Sequence, residues 1–148
     1  MAGPVAVVVD ASLVASLVIE TPYSRAARAL VPGWQEAGVT LYAPVLLEYE
    51  VTSVLRKSVA GGVLPAARAE AALAALSELS IVRVSPDADS LLAALRWAAR
   101  LGQRAAYDAQ YLALAERLGA EFYTADRRLA NLAGAAGLPW VRFLLSTA

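Results

Sequence analysis

Five short runs rich in β-branched and aromatic residues punctuate the chain, and longer stretches rich in alanine and leucine separate them. The runs cover residues 5–9, 39–42, 81–84, 121–123 and 140–143. Three of them, led by the first, are nearly continuous apolar segments, which suits strands buried on both faces of a parallel sheet. The stretches between them carry helix signals with legible ends. Ser85-Pro86 is placed to cap and start a helix that carries Leu91, Leu92 and Leu95 and ends at Gly102. A helix over Tyr107–Leu118 stops at Gly119, a residue suited to the left-handed position after a helix. Gly61 and Gly62 close a helix that begins near Leu46, and Pro65 opens the next at its first turn. No linker, repeat or low-complexity tract exceeds a turn. At 148 residues the chain has the size of one ordinary domain, so the expectation is a single α/β domain over 1–148. Its core is a five-stranded, mostly parallel sheet flanked by helices.

Composition narrows the chemistry. Cysteine and histidine are both absent, which removes disulfides, thiolate nucleophiles, Cys/His zinc sites and Ser-His-Asp catalysis together. Hydrolysis would have to use carboxylates, hydroxyls, Lys or Arg, or a metal held by oxygen. Lysine contributes little on this reading, because Lys57 is the only one. A formal net charge of zero argues against non-specific duplex binding through a broad basic surface. A nucleic-acid substrate would need a local basic patch. Arg96, Arg100 and Arg104 are spaced to share a helix face, and Arg127 and Arg128 follow a candidate acid. The bland reading of both groups is a solvated surface. No secretion signal or membrane span is evident, since Asp10 interrupts the first apolar run. A soluble, cytoplasmic protein is expected. The 59% hydrophobic content suggests an apolar surface covered by a partner.

In open α/β sheets ligands collect beyond the carboxyl ends of the strands. Asp10 follows the first run directly, and Asp126 follows Phe122-Tyr123-Thr124 by two residues. Either would serve as an ordinary helix N-cap. Two further acids lie on helix faces that should be buried. Glu50 is i+4 from Leu46, i+3 from Leu47 and i−4 from Val54, so it shares their apolar stripe. Glu48 lies roughly 200° from Glu50 around the helix axis, nearer the stripe's margin. Asp108 is i−3 from Tyr111 and i−4 from Leu112. A cap or an arginine partner would also account for Asp108. A carboxylate directed into an apolar interface is costly unless paired or metal-bound. The other acids, Asp87 and Glu121 among them, read as surface charges. Asp10, Glu50, Asp108 and Asp126 gathered together would repel one another unless a cation neutralised them. An all-oxygen set suits Mg²⁺ or Mn²⁺.

These residues fall in recognisable motifs. Val7-Val8-Val9-Asp10-Ala11-Ser12 resembles the opening strand and first acid of PIN domains, particularly the VapC-type toxins of prokaryotic toxin–antitoxin pairs. Tyr42-Ala43-Pro44-Val45-Leu46-Leu47-Glu48-Tyr49-Glu50-Val51 is similar to the second motif, with Glu50 its acid. Tyr107-Asp108-Ala109-Gln110-Tyr111 resembles the third, with Asp108 its acid. Thr124-Ala125-Asp126-Arg127-Arg128 resembles the fourth, with Asp126 the acid and Thr124 a hydroxyl neighbour. The resemblance covers essentially the whole chain in order. It implies a Rossmann-like sheet and a Mg²⁺- or Mn²⁺-dependent endoribonuclease with those four acids as catalytic and metal-binding residues, supported by Ser12 and Thr124. It further implies a homodimer and an antitoxin that blocks the site.

Two other α/β readings fail on the same residues. A receiver domain needs an acid pair after the first strand and a lysine after the last, whereas Asp10 stands alone and Lys57 is mid-chain. A haloacid-dehalogenase-type phosphatase wants a second Asp two residues after the first, where Ser12 stands. The remaining alternative is a catalytically silent PIN fold that binds RNA or protein.

Overall fold

The computed structural model describes residues 5–145; residues 1–4 and 146–148 of the expected domain lie outside the described residues. The chain begins with β1 (Ala6–Val9), α1 (Ala11–Val18), α2 (Ser24–Glu36), β2 (Thr40–Pro44), α3 (Leu46–Ala60) and α4 (Ala66–Glu78). It continues with β3 (Ile81–Val84), α5 (Ala88–Arg100), α6 (Tyr107–Leu118), β4 (Glu121–Thr124), α7 (Arg127–Ala135) and β5 (Val141–Phe143). The sheet order is β3-β2-β1-β4-β5, and all four pairings are parallel.

β1 occupies the centre for the reason its sequence gives. Val7, Val8 and Val9 point alternately to opposite faces, yet each is 0% exposed, so helices must cover both faces. One layer is led by α6, which packs against β1, β2 and β4 with α5 outside it. Elsewhere α1 meets α2, α3, α4 and β4. The chain builds outward from β1 through β2 to β3, then returns to add β4 and β5 on the other side. The order therefore reverses between β1 and β4, and the carboxyl ends of those strands flank a crevice there. In the register, Val9 stands beside Tyr123, which brings Asp10 next to Thr124.

The strands lie where expected to within two residues at either end. Two helix expectations change. The helix after β3 is capped by Asp87 rather than begun at Ser85-Pro86. Asp87 accepts from the Ser90 amide while the Ser90 hydroxyl reaches back to the Asp87 amide, a reciprocal pair that fixes the start two residues later. That phase buries Ala94, Trp97 and Ala98 and leaves Leu91, Leu92 and Leu95 exposed. The same helix gives out at Arg100, and Gly102 turns the chain with φ +69°. Arg104 therefore lies in the following loop and does not share a helix face with Arg96 and Arg100. Gly119 takes the expected left-handed conformation, φ +61°.

Candidate active site

The four acids come from four elements and meet in one cleft of about 250 Å³ at the β1/β4 crevice. Asp10 ends β1 and caps α1, its Oδ1 accepting from the Leu13 amide at 3.0 Å and the Ser12 hydroxyl at 2.6 Å. Its Oδ2 accepts from the Thr124 hydroxyl. Asp126 ends the β4 segment and caps α7 through its Oδ1, which accepts from the amides of Arg128 and Leu129. Both residues are helix caps, and both also line the cleft. Capping and site membership coexist because a cap directs its carboxylate to the helix start, which here faces the crevice.

Glu50 and Asp108 reach the cleft from helix faces, as the apolar phase of α3 and α6 predicts. The Tyr111 hydroxyl donates to Glu50 Oε1 at 2.7 Å. Gln103 Nε2 donates to Asp108 Oδ2 at 3.1 Å from the loop before α6. Glu48 turns away and pairs with Arg83 on β3.

Thr124 and Ser12 hold the frame. Thr124 is fully buried, donates to Asp10 and accepts from the Asp126 amide at 2.9 Å, so one hydroxyl ties two of the acids to each other. The Ser12 hydroxyl donates to Asp10 and accepts from the Ala125 amide at 2.9 Å.

Burial and mutual repulsion act together on the acids of the cleft. Among the described residues none of the four acids forms an ion pair. Burial raises the Asp10 carboxyl to about 6, against the lowering pull of Ser12, Thr124 and the Leu13 amide. Burial likewise raises Glu50, opposed by the Tyr111 hydrogen bond, and raises Asp108, opposed by Gln103. Asp108 is the hub: its charge raises both Asp10 and Glu50, and the charge of Asp126 raises Asp108 in turn. The Tyr111 phenol is pushed far above its ordinary range, mainly by burial, and stays a donor.

The donor set is oxygen throughout, the chemistry of a hard divalent cation. Among the described residues no three acids stand close enough together to enclose an ion. An ion bound in the cleft would be held by one or two of the carboxylates, with water completing its shell, as Mg²⁺ commonly is.

Three polar residues of the cleft escaped the sequence reading: Ser53, Lys57 and Tyr111. The only lysine of the chain lines the acid cleft, although its solitude had argued against it. The signal was present, since Ser53 and Lys57 are i+3 and i+7 from Glu50 and share its helix face. Gln103 carried no such signal, because a loop position has no periodicity.

Comparison with known proteins bears on the family and the fold. The sequence profile described as PIN domain matches residues 7–135. Ribonuclease VapC3 of Pyrobaculum aerophilum is 36% identical over 125 residues, spanning 84% of this chain and 92% of that protein. The chain belongs to the VapC-type PIN-domain family. Two solved structures share its fold. PAE2754 of Pyrobaculum aerophilum superposes with a TM-score of 0.64 at 28% identity, covering 86% of this PIN domain and 79% of that chain. VapC20 of Mycobacterium tuberculosis, a toxin that cleaves the sarcin-ricin loop, superposes with a TM-score of 0.66 at 20% identity. That match covers 92% of this chain and 98% of VapC20, and at such identity it speaks for the fold alone. Among the described residues no helix is long and apolar enough to cross a membrane.

Proposed function

We propose that this PIN domain is a divalent-metal-dependent endoribonuclease that hydrolyses RNA phosphodiester bonds, the toxin of a toxin–antitoxin pair acting in the cytoplasm. The observation that carries the reading is the meeting of Asp10, Glu50, Asp108 and Asp126 in one cleft without an ion pair to any of them among the described residues. Four carboxylates in such a setting repel one another, and acids perturbed in this way cluster at functional sites. The resemblance to a relative named as a ribonuclease supports the same conclusion.

A Mg²⁺ or Mn²⁺ ion bound to these acids would supply charge neutralisation at the phosphate and activation of a water. The chain's own residues fix the geometry. Asp10 is held on both oxygens by Ser12, Thr124 and the Leu13 amide, so its carboxylate has one orientation. Tyr111 aims Glu50 and Gln103 aims Asp108. Lys57, at the wall of the same cleft, offers a mobile ammonium to the non-bridging oxygens of the substrate phosphate. RNA is the substrate on this reading, and a homodimer and a cleft-blocking antitoxin are its protein partners.

Incubating the purified protein with RNA and Mn²⁺ tests it. Cleavage that chelator stops, and that Asp10→Asn abolishes in a folded protein, is the expected result. Equal cleavage by the folded Asp10→Asn variant contradicts the reading.

A further inference from the structure

A second cavity of about 620 Å³ adjoins the acid cleft, and the two share Glu50 and Asp108. Its far wall has the opposite character. Arg104 and Arg128 line it, both exposed, and neither is ion-paired among the described residues. Tyr107 stands with them on the first turn of α6, its side chain 62% exposed. An exposed aromatic ring offers a face for stacking, and two cations within one concavity attract a polyanion.

An aromatic face beside unpaired arginines is the chemistry that binds a single nucleic-acid strand, with the ring stacked on a base and the cations on its phosphates. A duplex keeps its base faces stacked inside and cannot use the ring. We propose that this basin is a nucleotide subsite for single-stranded RNA. Tyr107 stacks on an unpaired base while Arg104 and Arg128 hold the phosphates beside it, next to the phosphate that lies over the acids. The identity of the strand as RNA rests on the ribonuclease reading; the stacking site itself does not.

Binding of a fluorescein-labelled single strand of about ten nucleotides, followed by anisotropy in chelator so that nothing is cut, separates the two. Tyr107→Ala should weaken binding about 5- to 150-fold, while Tyr107→Phe and Tyr107→Trp stay within about twofold of the wild type. Arg104→Ala and Arg128→Ala should each reduce the slope of log affinity against log salt by about 0.7. Circular dichroism of each variant reports the fold, and Tyr107→Phe controls for local packing. Wild-type affinity in a folded Tyr107→Ala protein overturns the subsite, as does equal binding of a duplex of the same length. If that variant also cleaves RNA as the wild type does, the ribonuclease reading stands without the subsite. If the wild type binds the strand through Tyr107 but never cleaves it with Mn²⁺, the subsite stands and the ribonuclease reading falls.

Discussion

The Tyr111 hydroxyl donates to Glu50 Oε1 across the gap between α6 and α3, at 2.7 Å. The donor is 1% exposed, and its ring lies nearly parallel to Phe122 with centroids 5.8 Å apart. Glu50 is thus aimed by a side chain packed in the core.

Tyr111→Phe keeps the ring packing and removes only the donor. Because that hydrogen bond lowers the Glu50 carboxyl, its loss should raise it further, moving the acid limb of the rate profile to higher pH. Stability should fall by about 1 kcal/mol. Cleavage rates across pH with melting curves check both effects, and an unmoved acid limb would show that Tyr111 does not tune Glu50.

Two glutamates on one helix should behave oppositely. Glu50→Gln should abolish cleavage. Glu48→Gln should leave it nearly intact and cost at most about 1 kcal/mol, since the Glu48 side chain is 43% exposed and pairs with Arg83 outside the cleft. Initial rates and melting temperatures of the two variants decide this; the reverse pattern would place the site on the other face of α3.

The apolar phase of α3 and α6 made Glu50 and Asp108 legible from sequence, because a carboxylate on a buried stripe is physically anomalous. Asp10 and Asp126 were legible by position, as acids immediately beyond β-branched runs. What sequence could not show was that their capping and their site membership are the same geometry. Lys57 was misjudged because residue counts carry no placement. Leu91, Leu92 and Leu95 lie on α5 as expected, but the helix buries Ala94, Trp97 and Ala98 and leaves the three leucines exposed. Arg104 has helical spacing from Arg100 but lies beyond the end of α5, in the loop after Gly102. Local hydrogen bonds at helix ends, weak signals in sequence, decided where α5 begins and ends.

Asp10 makes the metal-free protein less stable as pH rises. Its folded-state carboxyl titrates at about 6, above the ordinary 3.8, so between those values the folded state holds a proton that the unfolded state has released. Stability therefore falls as pH rises through that window and levels off above about 6, with a penalty on the order of 3 kcal/mol. Glu50 and Asp108, also raised, act in the same direction. Melting temperatures in chelator from about pH 4.5 to about pH 7.5 should decline. Asp10→Asn should decline less; a parallel decline would assign the effect to other groups.

The exposed Leu91, Leu92 and Leu95 on α5 offer an apolar surface suited to a partner. Light scattering at micromolar concentration should report twice the 15.5 kDa chain mass if that partner is a second copy. A monomer in the absence of any partner would contradict the homodimer.

The central claim, that four carboxylates form one cation-demanding site, is tested most directly by melting the protein with chelator and with Mn²⁺. The folded arrangement binds the ion and the unfolded chain scatters its acids, so wild-type stability should rise by about 2.7 kcal/mol at ~100 times the dissociation constant. For a chain of this size that is a rise of roughly 5 to 10 °C. Asp108→Asn removes the charge that raises both Asp10 and Glu50 and, unlike Asp10 and Asp126, caps no helix. It should melt higher than the wild type in chelator and gain less from Mn²⁺. A wild-type melting temperature unchanged across millimolar Mn²⁺, with Asp108→Asn no more stable than the wild type in chelator, would show four unrelated acids.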